Sequence, residues 1–125
     1  MDNGCVFCNK DENREILFDG KVWTAFLDGY PVNEGHTLIV PKRHAETYFD
    51  LTEFEMLSLH QVIKIVKEKL DDRYHPNGYN IGINCGDAAG QSVPHCHIHI
   101  IPRYYGDVEN PRGGVRGVIP SKQNY

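Results

Sequence analysis

The sequence predicts a single domain in which several short β-strands accompany one long α-helix. Its 125 residues are a usual size for one domain. Residues 52–75 carry apolar side chains at helical spacing, whereas five shorter stretches are rich in strand-forming residues. With 40% hydrophobic residues, the chain can bury a substantial core. Together these patterns predict a mixed α and β fold.

Three strands are predicted in the first third of the chain. Residues 15–18 and 21–27 flank the dipeptide Asp19-Gly20, which is a strong signal for a two-residue hairpin turn. Residues 36–41 follow after a loop and make the third strand.

The long helix is predicted to begin near Thr52 and to fade between Asp72 and His75. Thr52 and Glu55 form a capping box, in which each side chain bonds a backbone N–H of the other residue. Apolar residues then recur at steps of three and four, which places them on one core-facing side of the helix. They are Met56, Leu59, Ile63, Val66 and Leu70.

Two more strands are predicted, one at residues 79–85 and one in the stretch 93–103, where Pro94 and Pro102 bound it. The second carries His95, His97 and His99 at alternate positions, so in an extended strand these side chains share one face. A half-buried strand with a polar face is the structural alternative, but three histidines in register after a glycine-rich turn favour chemistry. Because neutral imidazole is a nucleophile, a proton carrier and a metal ligand, we interpret this stretch as the active strand.

The loop between these strands, residues 86–92, suits a phosphate group. Glycine lets backbone N–H groups approach an anion closely, and Gln91 and Ser92 add side-chain donors. Asn84 is a further donor just before the loop. Most glycine-rich loops are only turns, but this one leads directly to His95.

Histidines beside a bound phosphate suggest phosphorus chemistry. An imidazole nitrogen can attack phosphorus and form a phosphoramidate, which water then hydrolyses. His97, with a histidine on either side, is the best nucleophile candidate, and His99 would donate to a phosphate oxygen or to the leaving group. The second nitrogen of His97 should donate to a fixed acceptor, such as a backbone carbonyl of its own strand.

Four side chains form a candidate zinc site. Cys5 and Cys8 make a Cys-x-x-Cys pair that, with His95 and one upstream histidine, would complete a closed, structural Cys₂His₂ set. A thioredoxin-like redox pair would lie between a strand and a helix, whereas this pair precedes the first strand. His44 and His36 compete for the fourth place. His44 is favoured because it lies where the chain leaves the third strand, whereas His36 would support the site through a hydrogen bond.

Composition argues against two kinds of partner. The formal net charge of −4 gives no basic surface for a nucleic-acid duplex. No apolar run approaches the length of a membrane span, and the N-terminus lacks a signal-peptide core, so we expect a cytoplasmic protein.

The segment His95-Cys96-His97-Ile98-His99-Ile100-Ile101 resembles the signature of the histidine triad (HIT) family. Three further segments fall where HIT proteins carry similar ones. They are Ala25-Phe26-Leu27-Asp28, Gly35-His36-Thr37-Leu38-Ile39-Val40-Pro41-Lys42 and Ala89-Gly90-Gln91-Ser92-Val93. The resemblance covers roughly residues 5–107.

This resemblance implies an α+β, HIT-like fold in which a five-stranded antiparallel sheet carries one long helix and a short one. It implies that residues 1–125 are a single domain, with a core at about 5–107, and that the protein is a homodimer. Residues 108–125 would be a C-terminal extension. That extension could cover the site, contribute to the dimer or be a solvated surface.

The resemblance also implies roles for individual residues. Cleavage or transfer at the α-phosphate of a nucleotide would proceed through a covalent nucleotidyl-histidine on His97. The phosphate would be surrounded by Asn84, Gly90, Gln91, Ser92 and His99. The nucleoside pocket would contain Phe7, Phe26 and Asp28, with the carboxylate bonding the ribose hydroxyls. In members that begin with Cys-x-x-Cys, the zinc site uses the histidine after Pro-Lys-x, which is His44 here.

We therefore expect a nucleotide hydrolase of broad specificity, with dinucleoside polyphosphates such as diadenosine polyphosphates as substrates. Ile101-Pro102-Arg103 resembles that branch of the family, and His99 argues against the uridylyltransferase branch, which has glutamine there. Gln91-Ser92 is also found in purine nucleoside phosphoramidases, which are an alternative. Two others are a nucleotide-binding regulatory module with little turnover and a zinc-dependent interaction module.

Overall fold

The computed structural model describes residues 5–8 and 13–125. Five strands form one antiparallel sheet, namely β1 (Ile16–Asp19), β2 (Trp23–Leu27), β3 (Thr37–Pro41), β4 (Gly78–Ile83) and β5 (Ile98–Arg103). Their order across the sheet is β1-β2-β3-β5-β4. The long helix α1 spans Glu53–Tyr74, and a single 3₁₀ turn at Tyr48–Asp50 precedes it as the short helix. The expected α+β architecture is confirmed, and the last strand lies inside the sheet.

Helix α1 begins and ends where its capping residues predict. The Thr52 hydroxyl accepts a hydrogen bond from the Glu55 backbone N–H at 3.1 Å, and the Glu55 carboxylate accepts one from the Thr52 N–H at 2.8 Å. At the other end, His75 caps the helix in the left-handed conformation, with a φ of 53°. The capping box therefore fixes the start of the helix.

The buried face of α1 differs from the predicted stripe at two places. Three predicted residues are buried: Leu59, Val66 and Leu70. Met56 and Ile63 are only half-buried, and the preceding residues, Glu55 and Val62, are buried instead. At these two turns of the helix, the buried position is therefore one residue earlier in the sequence than predicted. Glu55 tolerates burial because Arg43 binds both of its carboxylate oxygens, at 2.8 and 3.1 Å.

Alternate strand residues face opposite sides of the sheet. One side packs against α1 and forms the main core, which includes Trp23, Ala25, Ile39, Cys96, Ile98 and Ile100. The other side carries a smaller cluster of Phe26, Leu38 and Val40, against which Phe7 packs. Leu38 pairs with His99 across β3 and β5, so His99 belongs to this second side.

The strand predicted in the stretch 93–103 begins later than expected. In the structure, β5 starts at Ile98. His95 and His97 lie in the irregular stretch before it. There the His95 N–H donates to the Val93 carbonyl at 2.8 Å, and the Cys96 N–H donates to the Ala45 carbonyl at 2.6 Å. These backbone groups are therefore bonded outside the strand ladder. The other strand boundaries lie within two residues of those predicted.

The C-terminal extension contains short 3₁₀ turns that the sequence analysis does not predict. They span Gly114–Val118 and Pro120–Lys122. The guanidinium groups of Arg112 and Arg116 lie over the ring of Tyr125, at 5.0 and 4.7 Å from its centroid. Among the described residues, no helix combines the length and the apolar character that crossing a membrane requires.

Candidate active site

A cavity of about 770 Å³ lies on the sheet face opposite α1. Six of the predicted site residues are among those that line it: Phe7, Phe26, Asp28, Ser92, His97 and His99. Apolar side chains therefore form one part of the cavity, and imidazole rings form another. This combination suits a ligand with both an aromatic and an anionic group.

His97 is buried and presents one defined nitrogen to the cavity. Its Nδ1 lies 2.8 Å from the backbone carbonyl oxygen of His95. Because a carbonyl only accepts hydrogen bonds, Nδ1 carries the proton, and Nε2 keeps its lone pair. This hydrogen bond is the one that the sequence predicts for a nucleophilic His97.

His99 presents the opposite kind of nitrogen. The Val32 backbone N–H donates to Nδ1 of His36 at 3.0 Å, so the proton of His36 lies on Nε2. That Nε2–H donates to Nδ1 of His99 at 2.9 Å. The remaining nitrogen of His99, Nε2, therefore carries a proton. His36 thus holds Nδ1 of His99 by a hydrogen bond.

Burial lowers the pKa values of His99 and His36. It lowers the pKa of His99 to about 4, and the neighbouring rings of His97 and His36 lower it further. Burial also lowers the pKa of His36, although the nearby Asp28 carboxylate, whose oxygen is 3.5 Å from His36 Nε2, opposes this shift. Near neutral pH, His99 is therefore a neutral hydrogen-bond donor.

Cys5, Cys8, His44 and His95 bring four possible metal ligands together, with all ligand atoms within 4.8 Å of one another. The Cys8 sulfur is 3.1 Å from His44 Nδ1, and the Cys5 sulfur is 3.3 Å from His95 Nδ1. The two Nδ1 atoms are 3.1 Å apart. Tetrahedral zinc with sulfur and nitrogen ligands separates its ligand atoms by about 3.5 Å, so these four residues fit a metal.

The hydrogen bond made by His95 supports this fit. Its Nε2 lies 2.9 Å from the Pro41 carbonyl oxygen, so Nε2 carries the proton and the Nδ1 lone pair points towards the sulfur atoms. Of the two histidines considered for the fourth ligand, it is His44 that the structure places here. His36 lies instead beside His99.

A second group of possible ligands does not fit a metal as well. Asp28, His36 and His99 also bring their ligand atoms within 4.8 Å of one another. However, the Nε2 atom of His36 that faces this group carries a proton, because its Nδ1 accepts from Val32. A protonated nitrogen does not bind a metal, so this group is a hydrogen-bonded chain.

Three predicted phosphate ligands are not among the residues that line the cavity: Asn84, Gly90 and Gln91. The Gln91 side chain braces the loop. Its oxygen accepts from the Gly86 N–H at 2.8 Å, and its nitrogen donates to the carbonyls of Glu46 and Val93, at 2.7 and 3.0 Å. Gly86 and Gly90 have φ values of 89° and 93°, which glycine adopts without strain.

Sequence reasoning missed Arg14 as a cavity residue. Its guanidinium lies 4.5 Å from the centroid of the Phe26 ring and 5.7 Å from that of Phe7, and it donates to the Val6 carbonyl. Arg14 lies in a polar stretch without periodicity, so no sequence signal identifies it. Leu38 also lines the cavity, and it pairs with Phe26 across β2 and β3, which puts both side chains on the same side of the sheet.

The chain matches known proteins over most of its length. The sequence profile described as HIT domain matches residues 9–106. An uncharacterized HIT-like protein of Methanocaldococcus jannaschii is 41% identical over 108 residues, which are 84% of this chain and 83% of the relative. The crystal structure of a zinc-bound histidine triad family protein from Mycobacterium smegmatis has a TM-score of 0.76 and 32% identity, covering 86% of this chain and 80% of that one.

Two relatives carry names that state an activity. A bis(5′-nucleosyl)-tetraphosphatase (asymmetrical) of Schizosaccharomyces pombe is 36% identical over 93 residues, which are 74% of this chain. An AP-4-A phosphorylase of Mycobacterium tuberculosis is 36% identical over 98 residues, which are 78% of this chain. This chain spans 51% and 50% of the length of these two proteins, respectively.

Proposed function

The chain belongs to the HIT domain family, and on this premise we propose that it hydrolyses dinucleoside polyphosphates at the α-phosphate. The observation that carries the proposal is the pair of defined nitrogens at the cavity, a lone pair on His97 Nε2 and a proton on His99 Nε2. The name of the tetraphosphatase relative supports the substrate class.

In the first proposed step, Nε2 of His97 attacks the α-phosphorus, and the bond from phosphorus to the leaving-group oxygen breaks. The new N–P bond leaves the ring positively charged. Its Nδ1–H stays bonded to the His95 carbonyl, which stabilises that charge. The His99 Nε2–H donates to a phosphate oxygen or to the departing oxygen, where negative charge develops.

In the second step, water attacks the phosphorus and the N–P bond breaks. A nucleoside monophosphate leaves, and the electron pair of the broken bond returns to His97. The surplus proton of the water stays on the product phosphate or passes to solvent. The covalent intermediate thus divides one difficult displacement into two easier ones.

The low pKa of His99 favours a phosphate leaving group over an amine. At about 4, this pKa makes His99 a neutral donor near pH 7 rather than a strong acid. A polyphosphate, whose last ionisation has a pKa of about 6, can depart without receiving a proton. An amine leaving from phosphorus must be protonated, so the phosphoramidase alternative requires the bound phosphate to raise the pKa of His99.

The proposal gives roles to the predicted nucleotide-binding residues that line the cavity. In the proposal, Phe7 and Phe26 contact the base, and Asp28 bonds the ribose hydroxyls. The phosphate is held by Ser92 at the cavity, and the Gln91 side chain supports it by bracing the loop between residues 86 and 92. A Zn²⁺ ion held by Cys5, Cys8, His44 and His95 would be structural, since four protein ligands close its coordination shell.

The test of the function is turnover of diadenosine tetraphosphate, with the products separated by chromatography. We expect the wild type to release AMP, and His97→Ala to lower turnover at least about 10³-fold, because a covalent nucleophile is lost. His60→Ala, which changes an exposed histidine of α1, is the matched control and should retain activity. Full turnover by the His97→Ala protein would refute the assignment.

Phosphorolysis is a second candidate, because one relative is named AP-4-A phosphorylase. The first step would be the same, and inorganic phosphate would replace water in the second. The same assay with inorganic phosphate separates the two: phosphorolysis yields ADP and consumes phosphate, whereas hydrolysis yields AMP whether or not phosphate is present.

A further inference from the structure

The two residues between the sulfur ligands, Val6 and Phe7, connect the metal centre to the cavity. They lie in the turn between Cys5 and Cys8, whose Cys8 N–H donates to the Cys5 carbonyl at 3.2 Å. Any metal that binds both sulfur atoms fixes both ends of this turn. The position of Phe7 therefore depends directly on the metal centre.

Phe7 contacts the functional residues on the cavity side. The centroid of its ring is 5.1 Å from that of His97, in an edge-on arrangement, and 5.8 Å from that of Phe26. It is also 5.9 Å from the ring of His95, which is itself one of the possible metal ligands. One aromatic ring thus lies between a metal ligand, the proposed nucleophile and the wall of the nucleoside pocket.

The backbone of this segment is irregular. Residues 6–8 form a turn outside the sheet, and Val6 is 50% exposed. Arg14 contacts this turn through the Val6 carbonyl and the Phe7 ring. Fixing an irregular backbone segment in one conformation has an entropic cost of about 1–2 kcal/mol per residue. If a metal already fixes the segment, nucleoside binding no longer has to overcome this cost.

We propose that the metal centre and the nucleoside site are thermodynamically coupled through Phe7. Metal binding orders the ring against which the base packs, so it strengthens nucleoside binding. Because coupling between two binding sites is reciprocal, a bound nucleoside also strengthens metal binding by the same factor. This inference rests on the proposed function and assigns it a form of regulation.

The test measures the affinity of the full-length protein for Zn²⁺ by competition with a chromogenic chelator, under a non-thiol reductant. Three probes are compared at saturating concentration: AMP, ribose 5-phosphate and inorganic phosphate. We expect AMP to raise the Zn²⁺ affinity about tenfold, which is a typical coupling factor. The two probes without a base should leave it nearly unchanged.

Two variants identify the residue that carries the coupling. Phe7→Ala retains all four ligands, so it should bind Zn²⁺ but lose the effect of AMP. Phe54→Ala, which removes a phenylalanine that is 70% exposed on α1, should keep the full effect. An unchanged or weaker Zn²⁺ affinity with AMP, or an equal effect of ribose 5-phosphate, would overturn the coupling through Phe7.

Calorimetry of AMP binding to the zinc-loaded protein separates this inference from the proposed function. If AMP binds but Zn²⁺ affinity does not change, only the coupling is wrong. If AMP does not bind at all, the proposed nucleotide site is wrong and the coupling falls with it.

Discussion

Two backbone carbonyls set which ring nitrogen carries the proton in His95 and in His97. The Pro41 carbonyl takes the Nε2 proton of His95 and directs its Nδ1 to the sulfur ligands. The His95 carbonyl takes the Nδ1 proton of His97 and leaves Nε2 for the cavity. Two residues of the same type, two positions apart, are therefore suited to different tasks: His95 to binding a metal and His97 to facing a ligand in the cavity.

The sequence predicts the row of imidazoles but not all of this division of roles. Spacing alone puts His95, His97 and His99 on one face. The identity of the bonding nitrogen depends on which carbonyl lies within 3 Å, and Pro41 is 54 residues away from His95 in the chain. The chain of hydrogen bonds from Val32 through His36 to His99 likewise depends on contacts between distant segments.

The hydrogen-bond partners predict the tautomer of each ring. At neutral pH, nitrogen-15 NMR of the imidazole groups should find the proton of His97 on Nδ1 and that of His99 on Nε2. His60, which is exposed on α1, is the reference ring outside this hydrogen-bonded group. The reverse pattern at His97 would leave no lone pair for attack on phosphorus.

Acid should destabilise the protein in part through His99. Its pKa is about 4 in the folded protein and ordinarily 6.5, so between these values the unfolded chain binds a proton that the folded protein excludes. The unfolding free energy therefore falls as pH decreases from about 6.5 to about 4. From pH 7 to 4.5, urea unfolding should show a loss about 2 kcal/mol larger for the wild type than for His99→Gln.

The other acid-sensitive groups, including the metal ligands, are common to both proteins in that comparison. Equal losses for the wild type and the His99→Gln protein would show that burial does not depress the pKa of His99.

At the scale of secondary-structure elements, local sequence signals predict some boundaries and buried positions correctly and others incorrectly. The capping box of Thr52 and Glu55 predicts the start of α1, because both bonds lie within one turn. The buried face of α1 depends on how the helix rests on the sheet, so Val62 was missed. The predicted start of β5 was wrong. The Cys96 N–H donates to the Ala45 carbonyl instead of joining the sheet, and the sequence does not reveal this contact.

The turn between Cys5 and Cys8 is the element that should respond to metal removal. If a metal holds it to His44 and His95, a chelator should lower the melting temperature by at least about 5 °C, since a bound ligand stabilises only the folded state. Differential scanning fluorimetry with and without chelator measures this shift.

Two serine variants test the same prediction. Cys8→Ser should melt at a lower temperature and no longer respond to the chelator. Cys85→Ser changes a cysteine outside the group of four ligands and should respond as the wild type does. A chelator effect that persisted in Cys8→Ser would place the metal elsewhere.

At the scale of the whole molecule, the candidate site combines distant parts of the chain. Cys5 and Cys8 are 90 and 87 residues from His95, and they meet it only because the N-terminal turn folds across the sheet. The sequence predicts this contact through the Cys-x-x-Cys spacing, the row of histidines and the resemblance to HIT proteins. The position of Arg14 over Phe26 could not be predicted, because it follows from that folding and leaves no pattern in the sequence.

The homodimer remains a prediction at this scale. Strand β4 lies at an edge of the sheet, where backbone groups are available for pairing. Apolar side chains are also exposed there and in the extension, including Ile81 at 49%, Val115 at 63% and Val118 at 77%. Light scattering should give a mass twice the 14.3 kDa of one chain. A monomer at micromolar concentration would contradict the prediction.

Side chains of residues 95–100 alternate between the helix side and the cavity side of the molecule, and this has a consequence for protein engineering. Cys96, Ile98 and Ile100 fill space beneath α1, and the intervening histidines face the ligands and the cavity. A change of volume on the helix side would shift the imidazoles on the other. Variants with altered ligand preference should therefore be sought at the rim of the cavity, where Tyr30 is exposed and lies outside the hydrophobic core.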